Sequence, residues 1–160
     1  MLTLPAPTDD TPTLAELAAA LDHLQADTTP RWGKMNAPQM VRHSARFTDL
    51  NLGRIPVALP IRLLARLIGP IFLRKVLRGS PTATPKNLGT LPAIRSAPDL
   101  EVDLAAEVAD LRARFDEVAA LEGTLDHPMY GKMEAESCRS LVRHHTAHHF
   151  NQFGLLQPVR

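Results

Sequence analysis

The residues best equipped for chemistry lie between Leu141 and Phe153, in the run L-V-R-H-H-T-A-H-H-F-N-Q-F. Four of the chain's seven histidines, His144, His145, His148 and His149, stand there. Imidazole is the commonest protein ligand for transition metals and a general acid or base near neutral pH. An α-helix advances about 100° per residue, so His145 and His149 stack on one face about 6 Å apart along the axis, and His144 and His148 form a second such pair. Either pair can grip one cation.

The oily side of this helix separates the two pairs. With His145 at zero, Cys138, Leu141, Val142, His149, Gln152 and Leu156 fall within roughly 60° of it, and Phe153 sits slightly further round. His145 and His149 are therefore expected to point into the core. His148 flanks that stripe and His144 lies near its edge, so these two are expected to reach solvent or to support the inner pair. A third inward histidine comes from far upstream, where Met40, His43, Phe47 and Leu50 recur at spacings of three, four and three. Buried imidazoles need a partner for each ring nitrogen. For a lone case a carbonyl suffices; for three inward histidines on two helices, a shared divalent metal is the stronger account.

The elements that must position these residues read as helices. Thr13 and Glu16 make a capping box for a first helix lined by Leu14, Leu17, Leu21 and Leu24, and His23 beside that stripe is expected at the surface. Asn36 and Gln39 start a second helix, predicted over 36–51. Leu100, Leu104, Val108, Leu111, Phe115 and Val118 line a third, ending at Gly123. The turn Asp126–Tyr130 leads into a fourth, predicted over 134–154. Between the second and third, residues 54–79 are apolar with an arginine at roughly every turn, broken at Gly69-Pro70, and read as two short kinked helices. Ser80–Pro98 holds four prolines and is too long for an ordinary connection; such loops tend to be lids or binding loops. The expected fold is an all-α four-helix bundle with a long basic crossover between helices 2 and 3, and a metal site between helices 2 and 4. Residues 1–12, with three prolines, are expected to be a flexible arm, and 13–160 a single domain.

Trp32-Gly33-Lys34-Met35-Asn36-Ala37, leading into Met40-Val41-Arg42-His43, is echoed by Tyr130-Gly131-Lys132-Met133-Glu134-Ala135, leading into Leu141-Val142-Arg143-His144. Read literally, the echo matches His43 with His144, whereas helix faces choose His145. The face argument takes precedence because burial is what a ligand site needs.

At 160 residues and 44% hydrophobic, the chain suits one domain with a substantial core. The single Cys138 excludes an internal disulfide and fits a reducing compartment. Met1–Asp10 has neither a basic start nor an apolar run, and no stretch offers the ~18 uninterrupted apolar residues of a membrane span. A cytoplasmic location without integral membrane association is expected. A net charge of +1 conceals an asymmetry: between Leu50 and Leu100 the only acid is Asp99, against eight basic residues.

Arg31-Trp32-Gly33-Lys34-Met35 with Gln39-Met40 and His43, then His127-Pro128-Met129-Tyr130-Gly131 and His145-x-x-x-His149-x-x-Gln152-Phe153-Gly154, resembles the DinB/YfiT-like superfamily over roughly residues 13–155. The resemblance implies a four-helix bundle whose three histidines, one on the second helix and two at i, i+4 on the last, bind nickel, zinc or iron. Those positions fall on His43, His145 and His149. It further implies an activity among low-molecular-weight-thiol transferases, thiol-dependent isomerases or metal-dependent hydrolases, and a tendency to form homodimers.

Three neutral imidazoles leave a metal with open positions, as a catalytic site requires. The expected function is thus a metal-dependent thiol transferase or hydrolase acting on a small molecule, with a low-molecular-weight thiol as possible co-substrate. The alternative is a non-catalytic metal-binding or stress-response bundle. Gln152 is expected to orient a ligand or bound water, and His127 and His148 to be acid/base or supporting groups. Arg62, Arg66 and Lys86 of the crossover would draw an anionic co-substrate. Docking of this basic crossover on membrane or nucleic acid ranks below these readings, because such charges usually just solvate a helix face. No nucleic-acid partner is expected.

Overall fold

Both N-terminal capping boxes form. Thr13 Oγ1 accepts from Glu16 N–H while Glu16 reaches back to Thr13 N–H, starting α1, Leu14–Ala20; one 3₁₀ turn, Leu21–His23, prolongs it. Asn36 and Gln39 exchange the same pair of bonds at the start of α2, Ala37–Asn51, where Pro38 occupies a first-turn position whose missing N–H costs nothing. α3 spans Leu59–Leu77, and α4 spans Leu104–Ala119 behind an Asp103 cap. Strands β1, Thr124–His127, and β2, Gly131–Glu134, precede α5, Ala135–Gln152. This computed structural model describes residues 1–89, 91–95 and 103–156; Leu100, expected to begin the third helix, lies outside them.

The all-α four-helix bundle expected from the periodicities is therefore corrected. The described residues hold five helices and a two-stranded antiparallel sheet, a mixed architecture. β1 and β2 pair in the register Thr124↔Glu134 to His127↔Gly131 around the tight Pro128–Tyr130 connection. Strands of four residues are too short for alternation to stand out in a sequence. Their bond comes from pairing, and the fully buried Met133 anchors them in the core. Of the four elements read as long helices, α1 shortens to seven residues, while α2 and α5 keep nearly their expected bounds.

The crossover carries the second correction. In place of two short helices, α3 is one helix of 19 residues with Pro70 inside it. Pro70 removes one N–H donor, from the Arg66 carbonyl, and the flanking turns persist. Gly69 allows a close approach instead of a break: a Cβ there would sit 2.4 Å from Cε1 of Tyr130, whose ring packs against the helix.

Residues 1–12, expected as a flexible arm, run along the free edge of β2. Leu2 N–H donates to the Lys132 carbonyl at 2.7 Å, and its own carbonyl accepts from Glu134 N–H at 3.3 Å. Leu4 N–H donates to Ser137 Oγ at 2.8 Å, and Arg143 donates to the carbonyls of Thr11 and Pro12. Leu2 and Leu4 enter the main core with Leu17, Met40, Leu111, Phe115, Met133 and Phe150. α2 packs against both α4 and α5, and its His43 face meets α5.

Candidate metal centre

Helical spacing sets His145 and His149 one turn apart on α5, and the packing of α2 on α5 delivers His43 to them. One potential ligand atom from each of the three lies within 4.8 Å of the other two. The ring centroids stand 5.0 Å apart for His43 and His145, and 4.7 Å apart for each pair with His149. The three histidines lie close enough to hold a metal ion. His145, not His144, completes the set, as the helix-face argument requires and the internal echo does not.

Hydrogen bonds behind two of the rings decide which nitrogen faces inward. His43 Nδ1 lies 2.9 Å from the Ile94 carbonyl, so it carries the proton and donates, leaving Nε2 a free lone pair. His149 Nδ1 likewise donates to Gln152 Oε1 at 2.8 Å. The Gln152 amide is itself oriented, because its Nε2 donates to the Trp32 carbonyl at 2.6 Å. Gly33 makes that contact possible: its φ is +84°, and a Cβ would fall 2.5 Å from Gln152 Nε2. His145 stacks on Phe47, with centroids 3.6 Å apart and planes 4° from parallel, and its buried Nδ1 has no hydrogen-bond partner among the described residues.

His43 Nε2 and His145 Nε2 are 3.2 Å apart. Two nitrogens on one ion, each about 2.0–2.1 Å from it, lie about 3.3 Å apart in tetrahedral geometry. The same distance suits an N–H···N hydrogen bond with the proton on His145 Nε2; for His145 to ligate a cation through that atom, its proton would have to move to Nδ1. Burial lowers the pKa of all three. For His149 it falls to about 3, mainly by desolvation and then by His43 nearby. His145 is held well below its ordinary value by desolvation, then by His149 and His43. His43 is lowered by desolvation, against a smaller opposing effect of the Ile94 carbonyl. All three are neutral near pH 7, the form that ligates metal.

Gln152 is thus placed behind His149, where its substitution would act on a bound metal indirectly. Gln152→Ala is expected to weaken zinc affinity by about 10–100-fold with the fold retained. Competition against a chromophoric chelator measures this, and unchanged affinity would assign Gln152 a packing role only.

The other expected site residues scatter. His148 stays beside the cluster, its ring 5.2 Å from that of His149 and its Nδ1 3.3 Å from the Pro81 carbonyl; desolvation lowers its pKa. His127 is elsewhere, with Nε2 on Asn51 Oδ1 at 3.1 Å and Nδ1 accepting the backbone N–H groups of Met129 and Tyr130. Lys86 lies over the Trp32 ring, 4.6 Å from its centroid. Arg62 and Arg66 are not among the residues lining the cavity described below. His144, expected to reach solvent or to support the inner pair, is buried: the 3₁₀ turn Pro81–Ala83 packs on that side of α5, and Thr84 Oγ1 meets His144 Nε2 at 2.8 Å. Cys138 is core, its thiol pushed up to about 12 by burial.

A cavity of about 530 Å³ opens onto the three histidines. Phe47, Phe72, Val76, Leu88 and Ile94 make much of its wall, with Trp32 and Tyr130 nearby. The loop after α3 roofs it. Ala93 in that roof accepts a forked bond from Arg46, and Ile94 holds His43. These loop residues were not found as site residues by sequence reasoning, since a backbone carbonyl leaves no mark on residue type; the only signal was the loop's unusual length.

A family described as proteins of unknown function, DUF1569, matches residues 9–155. The chain belongs to the DUF1569 family. No curated protein and no solved structure matches it. The matched span of this DUF1569 chain contains all three clustered histidines, Gln152 and the roofing loop. Among the described residues, no helix is long and apolar enough to cross a membrane.

Proposed function

We propose that this protein is a divalent-metal-dependent enzyme of the DinB-like kind, a low-molecular-weight-thiol S-transferase or hydrolase, with His43, His145 and His149 as metal ligands. The observation that carries the reading is the convergence of three neutral imidazoles from α2 and α5 on a cavity large enough for a small molecule. A structural zinc site usually fills its coordination with four protein groups, whereas three leave a position for a substrate. Bound nickel, zinc or iron supplies Lewis acidity, which lowers the pKa of a coordinated water or thiol toward neutrality.

The chain's own residues do the rest. Ile94 and Gln152 fix the tautomers of His43 and His149, so that their lone pairs face inward at no cost in reorganisation. Phe47 holds the plane of His145. The apolar wall limits water, which strengthens electrostatic effects inside. His148, its ring 5.2 Å from that of His149, also lines the cavity and is the candidate to exchange a proton with a substrate. One buried cysteine accords with a cytoplasmic, reducing setting.

The test is metal content and turnover together. Purified protein should carry a stoichiometric divalent ion, and should transfer a small thiol to monochlorobimane or hydrolyse a small ester, with both properties lost in His43→Ala. Full metal occupancy with no turnover across thiols and esters would overturn the enzymatic reading. The ion would then serve to join α2 to α5, as in a non-catalytic metal-binding protein.

A further inference from the structure

The outward side of α3 is apolar where a surface helix is ordinarily polar. Its buried arc is Ala65, Gly69, Leu73 and Leu77, at successive four-residue steps. Away from that arc stand large hydrophobic side chains in solvent, including Leu67 at 76% exposure and Ile71 at 72%, with Leu63, Leu64, Ile68 and Phe72 also exposed. The helix is 19 residues long, about 28 Å at 1.5 Å per residue. Contiguous exposed patches of this kind mark interaction surfaces.

Charge selects the occupant. Arg74, Lys75 and Arg78 are exposed on the outward side of this helix and its end, whereas the Arg66 guanidinium lies against Gly131 of β2, and no acid occurs anywhere from Leu50 to Pro98. Lys75 falls within the apolar arc, between Leu64 and Ile68 in helical angle. Covered by the same helix of a second copy, these cations would meet cations, with no carboxylate from either α3. A bilayer surface offers what is missing: acyl chains for the leucines and isoleucines, and phosphates for Lys and Arg heads carried on apolar stems. No described helix is long and apolar enough to cross a membrane, so on a bilayer α3 would lie in the interface plane.

We propose that α3 docks the protein on an anionic lipid surface, with Leu63, Leu64, Leu67, Ile68, Ile71 and Phe72 at the acyl boundary and Arg74, Lys75 and Arg78 on lipid phosphates. Phe72 also lines the histidine cavity, so the docking helix is one of that cavity's walls. The docking stands whether or not the histidines hold a catalytic metal.

Flotation of the full-length protein with vesicles tests it. Vesicles of phosphatidylcholine containing phosphatidylglycerol should bind the protein about tenfold or more tightly than phosphatidylcholine alone, and added salt should erode the difference. A Leu67→Asp/Ile71→Asp variant should lose binding to both vesicles with its thermal unfolding unchanged, because both side chains point to solvent. Arg74→Ser/Lys75→Ser should lose the preference for phosphatidylglycerol, and this second variant decides the matter if the first fails to fold. Absence of wild-type protein from the anionic vesicles would overturn the proposal. So would a dimer in sedimentation that Leu67→Asp/Ile71→Asp dissociates, since it would give the face to a second copy.

Discussion

Replacing His43 with alanine is expected to abolish the stabilisation that zinc gives this protein. A ligand that binds only the folded state adds about 4 kcal/mol at 1,000 times its dissociation constant. For a domain of this size that corresponds to a rise in melting temperature of roughly 10 °C. His43 is the one member of the cluster on α2, and its Nε2 lies 3.2 Å from that of His145. Without it, His145 and His149 remain as a pair on a single helix, and zinc affinity should drop by more than about 100-fold, beyond what loss of a supporting residue costs. At the same zinc concentration the rise should shrink to a few degrees or less. Because the substitution also alters the metal-free protein, the quantity to compare is the shift with and without zinc within each variant. His23→Ala controls for zinc on surface imidazoles, since His23 is exposed outside the cluster. An equal rise in wild type and His43→Ala would eliminate the three-histidine site.

The second large effect is on acid stability, and it comes from His127. Its ring is 2% exposed, and burial lowers its pKa from 6.5 to about 4. The bonds explain why protonation is resisted. Nδ1 accepts from two backbone N–H groups and has no acceptor to receive a new proton, while Nε2 already donates to Asn51. The unfolded chain therefore binds a proton that the folded chain refuses. His127 thus favours the fold fully above pH 6.5, and this contribution is lost as pH falls from 6.5 toward 4, by up to about 3 kcal/mol. His127→Gln keeps an acceptor and a donor but cannot titrate. Urea unfolding in the presence of a chelator, at intervals across that range, should show a steeper loss in wild type than in His127→Gln. Parallel curves would show that His127 takes up its proton without cost. The difference between the two proteins matters more than either curve, because His144, whose pKa burial also lowers to about 4, titrates in both.

His127 also shows where residue type misleads. Beside a proline-marked turn and ahead of a histidine-rich helix, it invites a catalytic role, yet the structure commits both nitrogens to bracing the hairpin onto α2. Its tertiary partner, Asn51, is 76 residues away. Arg62 and Arg66 suggested anion binding by charge alone, and which way they face depends on how α3 lies on Tyr130 and β2. His144 was expected to reach solvent or to support the inner pair because nothing in α5 itself reveals that residues 81–84 fold over that side.

What the sequence determined by itself was local and periodic. The two capping boxes, the i, i+4 pair His145 and His149, and the inward face of His43 follow from 3.6 residues per turn and from side chains that bond three residues on. The cluster of His43, His145 and His149 was legible because both helices carry their histidines on hydrophobic faces, and two such faces must meet. Only the tertiary structure decided the hairpin, the single α3 through Pro70, the placing of residues 1–12 on β2, and the carbonyls of Ile94 and Trp32 that set the site. Strands of four residues, backbone acceptors and partners far away in the chain leave no period in the sequence. They gain their energy only when distant segments come into contact.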